Sequence, residues 1–550
     1  MSGLWWLVVL SAPLLASLAL WWRPTGTMPW LWLTCVPALL ASIWPPAELA
    51  LGPLWPGAAW GIEDNVGQVW LAFTAVLWGC ASCFAVKDLA DDTRRLRFWT
   101  FWLLSLAGNL LLILALDLAS FYVGFSVMSL AAYGLIVHLR GPGPRQAGRL
   151  YLQLAILGEM LVYAGIMLRI HEAGGTLMLA DLQELPISQL TAALLIVGFG
   201  LKAGFWPLHV WLPLAHPAAP AAASAVLSGA MIKAGLLGIW RFLPVDGPVI
   251  QSWAVPILTI GFISMFYGVV IGLLQTKAKS VLAFSSISQM GYLLVILGLA
   301  WQHPDNRLLL AGVLAMYAAH HALAKGALFM GAGLSSHYRL SPWYWAAMLI
   351  PAVALSGMPF TSGAAVKTAL KKAMEEGNHA LFISLLTIGS LGTALLVFRA
   401  VWLMREQNAH PVNTAVHPSQ AVPWTALCIA PLALPWIWPE LRDVLVYSLD
   451  LHSSWSLFWP VVLALGIALL AVRLGIDSRP VSRFLPEPAR WLSLRLKKLL
   501  RPRQARKRAP RGTSWRKHER HLNRLFTASS VSSSAWIIGA LLLVGWMMAI

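Results

Sequence analysis

Sixteen separate stretches of this chain are apolar over about 17 residues or more, the length a helix needs to cross the ~30 Å hydrocarbon core of a bilayer. They fall at 3–22, 28–44, 66–86, 98–116, 118–137, 150–169, 188–215, 219–243, 251–274, 280–301, 306–335, 343–375, 378–404, 421–446, 455–476 and 530–549. Backbone amides inside lipid must be satisfied within their own segment, so stretches of this kind fold as helices. The chain is therefore expected to be an all-α polytopic membrane protein of about 16 transmembrane helices. Only 11% of its 550 residues are charged, against roughly 25% in an average soluble domain, which excludes a soluble globular fold. The first stretch lacks a basic leader and a small-residue cleavage site, so it is kept as a helix and not read as a signal peptide.

Sixteen spans impose a test, because alternate connections must lie on opposite sides of the membrane and the cytoplasmic side carries the basic residues. Odd-numbered connections, with the span ends beside them, hold 30 of the 40 Lys and Arg, and even-numbered ones counted in the same way hold four. The basic loops are thus expected to be cytoplasmic and both termini outward, in a bacterial-type inner (plasma) membrane. Much of the net charge of +18 is local: residues 473–524 hold 17 Lys or Arg against Asp477, Glu487 and Glu519. WLSLRLKKLL at 491–500 reads as an interfacial basic amphipathic helix. The segment 477–529 is expected to lie on anionic lipid, or else to strap onto a partner subunit, and no nucleic-acid partner is expected.

A charge at mid-membrane costs at least about 2.5–3.5 kcal/mol on insertion scales, so a central ionisable residue is a functional candidate. Glu159 is the only acid well inside a span, and Lys202, Lys233, Lys325 and Lys367 are the central bases. Lys371 and Lys372, one turn past Lys367, are read as snorkelling to the outer surface. The span with Lys202 contains Pro207 and Pro213, and the span with Lys367 contains Pro351 and Pro359. Proline removes a backbone donor, so both helices are expected to be discontinuous, as in transporters that bind ions at broken helices.

The broken span is fourth in each of two five-span groups. An odd number of spans would turn the second group upside down relative to the first. The expected organisation is helices 1–3 at 1–97, a first five-helix repeat at 98–243, a second inverted repeat at 251–405 and two helices at 421–476. The basic amphipathic cytoplasmic segment at 477–529 and a last span at 530–550 follow. Between the lysines lie His209, His216, His320, His321, Ser285, Ser286 and Gln289, polar groups suited to a hydrated proton relay, with His321 and Lys325 one turn apart.

No energy source is visible in the chain itself. GFGLKA at 198–203 imitates a dinucleotide motif but follows no strand, and there is no phosphate-binding loop. Cys80 and Cys83 form a C-x-x-C in an apolar span without further ligands, so no metal, haem, Fe-S cluster or other cofactor is expected.

Three segments carry a resemblance: KAGFWPLHVWLPLAHPAAPAAASAVLSGAMIKAGLLGIWRFL, KAKSVLAFSSISQMGY and HHALAKGALFMGAG. They resemble the antiporter-like proton-channel subunits shared by respiratory complex I, Mrp-type cation/proton antiporters and group 4 membrane-bound hydrogenases. The likeness is dense from Asp117 to Arg405. It implies that Lys202 is the broken-helix lysine of a glutamate–lysine pair, Lys233 the central lysine, His321 and Lys325 the connecting pair, and Lys367 the terminal group. It departs where the family carries an aromatic–glutamate pair in the fifth span, because Phe125 is here followed by Ser126. It departs again at Leu214, where the family has an acid. Glu159, one span later, is the expected substitute.

The resulting expectation is a proton-translocating subunit of a multisubunit complex, working with other membrane subunits and moving H⁺, or Na⁺ in its place. A possible enzyme activity, as a subunit of a NADH:quinone oxidoreductase or membrane-bound hydrogenase, would belong to the complex and not to this chain alone. The alternatives are a non-conducting membrane anchor for a catalytic partner and a subunit of an inorganic-carbon uptake complex.

Overall fold

The computed structural model describes residues 2–244, 246–375, 380–408, 415–438 and 451–474. The expected basic segment at 477–529 and the last span at 530–550 lie outside the described residues.

The chain opens with α1 (Trp5–Trp22), a 3₁₀ stretch (Met28–Cys35), α2 (Val36–Ile43) and a two-stranded hairpin of β1 (Leu49–Ala50) and β2 (Ala59–Trp60). Next come α3 (Asn65–Asp88), α4 (Arg95–Leu114), α5 (Leu118–Ile136), α6 (Pro142–Glu172) and α7 (Gln189–Ala203). A turn leads to α8 (Leu212–Ala218), then α9 (Ala221–Val226), a π-turn (Leu227–Met231) and α10 (Lys233–Phe242). The remainder is α11 (Pro248–Leu273), α12 (Ala278–Gln302), α13 (Arg307–His337), α14 (Pro342–Ser356), α15 (Ser362–Glu375), α16 (Ala380–Gln407), α17 (Pro418–Ile437) and α18 (Leu451–Arg473). Among the described residues, 13 helical segments are long and apolar enough to cross a membrane, and α7 and α14 are shorter apolar helices. The protein is a multi-pass, all-α membrane protein.

Local chemistry sets the helix starts. Asp64 accepts from the Gly67 amide at 2.7 Å to cap α3, and the Ser188 hydroxyl accepts from the Thr191 amide at 3.2 Å to cap α7. Asp117 caps α5 through the Ser120 amide at 2.8 Å and also accepts from Trp55 Nε1 and the Ala59 amide, which ties the hairpin to the bundle. Small residues let helices approach closely. A Cβ on Gly108 would lie 2.4 Å from the Met128 nitrogen, and one on Gly124 would lie 2.5 Å from the Leu112 nitrogen, so α4 and α5 meet backbone to backbone.

The core is not the outer ring of helices. Every residue is buried over Ala221–Phe242, Ser280–Trp301 and Val313–Ser335, whereas α1 exposes Leu18, Trp21 and Trp22 and α18 exposes Val462, Leu469 and Leu470. A helix that is apolar all round belongs in the centre. The three wrapped segments are also the ones that carry Lys233, the Ser285–Gln289 cluster and His320, His321 and Lys325.

Both expected breaks are present. Helix α7 stops at Ala203 because Gly204 takes a left-handed conformation (φ 68°), and α14 stops at Ser356 before Gly357 (φ 89°). Only glycine adopts these angles without strain.

Candidate functional site

Glu159 and Lys202 sit where α6 crosses α7. The crossing is close because both helices carry glycine there: a Cβ on Gly158 would lie 3.1 Å from the Gly198 carbonyl oxygen and 3.3 Å from Leu201 Cβ. Both ionisable residues are buried, at 7% and 6% exposure. Each charge acts on the other, yet the only ion pairs within 4.0 Å among the described residues are His138–Asp92 and Arg241–Glu63. The Lys202 amine instead donates to the Tyr151 hydroxyl at 3.0 Å, and that hydroxyl donates to the Ser129 carbonyl at 2.8 Å. A small cavity lined by Ser129, Tyr151, Gly158, Lys202 and Trp211 has room for about one water molecule. One carboxylate oxygen of Glu159, Oε1, has no hydrogen-bond partner.

Helix α10 packs on α7 through Gly235, whose Cβ would lie 2.8 Å from the Ala203 nitrogen. This sets Lys233 on the helix beside that of Lys202. The π-turn ahead of Lys233 frees carbonyls from the α-helical pattern, and the Lys233 amine donates to two of them, Ser228 at 3.0 Å and Gly229 at 2.6 Å. Toward α13 the Lys233 and Lys325 amines are linked through backbone carbonyls and a pair of hydroxyls. Ser228 and Ser286 share a hydrogen bond of 2.7 Å, Ser286 donates to the Leu282 carbonyl at 3.1 Å, and Lys325 donates to the same carbonyl at 2.8 Å. His321, one turn from Lys325, is fully buried with neither ring nitrogen hydrogen-bonded, and it lies within the electrostatic reach of both Lys233 and Lys325.

His320 continues the line, because its Nδ1 meets the Ser362 hydroxyl at 2.7 Å at the start of α15. Lys367, on α15, reaches back across the break. Its amine donates to the Leu355 carbonyl at 3.1 Å, the Ser356 carbonyl at 3.0 Å and the Ser390 hydroxyl at 3.0 Å, and lies 5.2 Å from the Tyr292 ring centre. Among the described residues, two carbonyls and one hydroxyl thus hold the Lys367 amine, and an amine so bonded has its donors satisfied inside the protein. The two breaks use their lysines differently. Lys202 precedes its break in the last turn of α7, while Lys367 follows its own; both belong to the carbonyl-rich, negative pole of the first half-helix.

Other residues expected from the sequence fall in and beside this line. Gln289 accepts from Tyr317 at 2.9 Å and donates to Thr393 at 3.1 Å, bracing α12, α13 and α16. Ser285 is buried without a hydrogen-bond partner. His216 is buried, stacks on Phe329 at 4.6 Å and lies within the electrostatic reach of Lys325 and Lys279. His209 stands apart, bonded to Tyr267 of α11 at 3.2 Å. Sequence reasoning missed Tyr151, Ser228, Tyr292, Tyr317, Ser362 and Ser390. Only Tyr151 carried a signal, its place about two turns from Glu159 on the same helix.

On the side of the basic loops, Asp92 and His138 join the α3–α4 connection to the end of α5, with 2.8 Å between Oδ2 and Nε2. Burial pushes the His138 ring below the usual histidine value, against the pull of Asp92. Burial pushes the Asp92 carboxyl up, but the Arg94 amide and His138 outweigh it and hold it below the usual carboxylate value.

Comparison with known proteins gives this arrangement a family. Residues 115–395 match the family described as NADH:quinone oxidoreductase/Mrp antiporter, TM. The chain is 30% identical over 394 residues to hydrogenase-4 component B of Escherichia coli (strain K12), covering 64% of this chain and 57% of that protein. It thus spans little more than half the length of that relative. It is 30% identical over 379 residues to NADH-quinone oxidoreductase subunit N of Desulforudis audaxviator (strain MP104C), covering 63% of this chain and 73% of that one. It is likewise 30% identical to a Na(+)/H(+) antiporter subunit of Alkalihalophilus pseudofirmus, over 56% of this chain and 66% of that one. A chain in the structure of the Mrp complex from Dietzia sp. DQ12-45-1b shares the fold with a TM-score of 0.67 at 21% identity, over 82% of this chain and 98% of that one. The match over more than half of its length places the chain in the NADH:quinone oxidoreductase/Mrp antiporter transmembrane family.

Proposed function

We propose that this chain is a proton-translocating, antiporter-like subunit of a multisubunit membrane complex, energised by a partner subunit. The observation that carries the reading is the buried line of ionisable and hydroxyl groups from Glu159 and Lys202 through Lys233, His321, Lys325 and His320 to Lys367. Packing alone does not require amines at mid-membrane, and their cost argues for use. A proton on the Lys202 amine passes toward Lys233, crosses to Lys325 by way of the His321 ring beside the Ser228–Ser286 pair, and leaves by His320 and Lys367. Two unit charges ~6 Å apart at an effective dielectric of ~20 interact by roughly 3 kcal/mol, enough for opening and closing of the Glu159–Lys202 pair to gate the line.

The reading includes two inverted five-helix halves at 98–243 and 251–405, cytoplasmic basic loops and outward termini. The relatives named above are subunits of a hydrogenase, a Na(+)/H(+) antiporter and a NADH-quinone oxidoreductase, which supports other membrane subunits as partners. Flux of H⁺, with Na⁺ as the competing ion, is measured in vesicles carrying the complete complex. Lys202→Ala and Lys367→Ala are each expected to cut it at least tenfold with assembly intact. Wild-type flux in both variants would leave a non-conducting anchor as the better reading.

A further inference from the structure

Leu201 packs on Gly158, so Lys202 leaves its helix at about the level of Glu159. Its amine nevertheless goes to Tyr151, which lies eight residues back on α6, about 12 Å along the axis at 1.5 Å per residue. The phenol is held in place from two sides. Its hydroxyl donates to the Ser129 carbonyl of α5 at 2.8 Å, and its ring meets Trp211 edge-on at 5.0 Å. Trp211 is itself fixed in the break by donating to the Leu201 carbonyl at 2.8 Å. The small cavity lined by Ser129, Tyr151, Gly158 and Lys202 gives the amine room to move, and Glu159 Oε1 is buried without a partner.

We propose that Tyr151 is a positioning residue that holds the Lys202 amine away from Glu159 between transfers, so that the pair opens and closes as one amine swings between a phenol oxygen and a carboxylate. The chemistry of the two acceptors differs. A carboxylate binds the charged ammonium far more strongly than the neutral amine, whereas a phenol oxygen accepts from either. On Tyr151 the amine can therefore pass its proton onward and keep its hydrogen bond. On Glu159 it cannot pass the proton without losing the ion pair. The inference rests on the reading of the buried line as a proton path and names the element that sets its first step.

The test compares Tyr151→Phe with wild type in membrane vesicles carrying the complete complex, following acidification with a pH-gradient dye and assembly by recovery of the complex. Without the phenol oxygen the amine stays on Glu159, and flux is expected to fall at least fivefold with assembly unchanged. Infrared difference spectra supply a readout that a structural role would not move. The carboxyl band that disappears in Glu159→Gln is expected to shift in Tyr151→Phe and to stay unshifted in Tyr151→Phe combined with Lys202→Met. Flux within twofold of wild type in Tyr151→Phe, or an unmoved band, overturns the role of Tyr151. If Lys202→Ala still abolishes flux in that case, the proton path survives without it; wild-type flux in Lys202→Ala removes both.

Discussion

Gly198 of α7 lies against Val162 and Gly158 of α6 so closely that a Cβ on Gly198 would stand 2.9 Å from the Val162 nitrogen and 3.0 Å from the Gly158 carbonyl oxygen. Neither is the end of a flexible side chain, so the helices must part to admit one methyl group. Gly198→Ala is expected to destabilise the protein by about 1–3 kcal/mol, as overpacking does. It should also reduce proton flux by displacing Lys202 from Tyr151. Thermal unfolding in detergent and vesicle flux measure the two effects, and unchanged values for both would show that the crossing is looser than described.

Glu159 is the buried acid whose charge acts on Lys202, and the resemblance sets Ser126, after Phe125, where the family carries its glutamate. A hydroxyl supplies a hydrogen bond but no charge. Glu159→Gln should therefore block flux, and Ser126→Glu in that background should restore part of it. Normal pumping by Glu159→Gln would end the idea of a relocated acid.

The Ser228–Ser286 bond lies between the carbonyls that hold Lys233 and Lys325. Ser286→Ala is expected to slow flux about three- to tenfold, the cost of one lost hydrogen bond of ~0.5–1.5 kcal/mol, with little change in thermal stability. Ser286→Thr, which keeps the hydroxyl, should retain most of the rate. Equal rates in Ser286→Ala and wild type would route the proton elsewhere.

The His138–Asp92 contact predicts a pH response on the basic side of the protein. The folded ring holds its proton less tightly than an exposed histidine, so the unfolded connection takes up a proton first as the pH falls. The stability His138 contributes is thus complete above about 6.5 and is lost as the pH drops through the ring's lower folded value. Asp92, whose folded value is also lowered, keeps its contribution down to about 3.8 and loses it only below that. Hydrogen exchange of residues 89–95, corrected for intrinsic rates, should accelerate between pH 7.5 and 5.5 in wild type and not in His138→Gln. An identical response in both would assign the acid sensitivity to another group.

The sequence shows most clearly what lipid makes expensive. Long apolar stretches announce the helices, prolines announce the breaks, and Glu159, Lys202, Lys233, Lys325 and Lys367 stand out because each costs several kcal/mol to insert. The groups that join them cost little. Ser228, Ser362 and Ser390 are small residues common at helix–helix contacts, and Tyr292 and Tyr317 look like ordinary core aromatics. Their roles depend on which helices become neighbours. Nor does spacing fix the residue at which each break falls, because that follows from where Gly204 and Gly357 turn the backbone.

The π-turn at Leu227–Met231 has a further consequence. Such a turn holds one residue more than an α-helical turn and leaves carbonyls outside the α-helical ladder. Removing any single residue between 227 and 231 would let the backbone close into a regular helix, with no charge lost and the apolar character of the span unchanged. The segments on either side would keep their phase, but the carbonyls that the wide turn leaves free would return to the helical ladder, and the Lys233 amine would lose its Ser228 and Gly229 acceptors. Here the length of the chain is itself a functional variable, and a one-residue deletion can silence the line as completely as replacing the lysine.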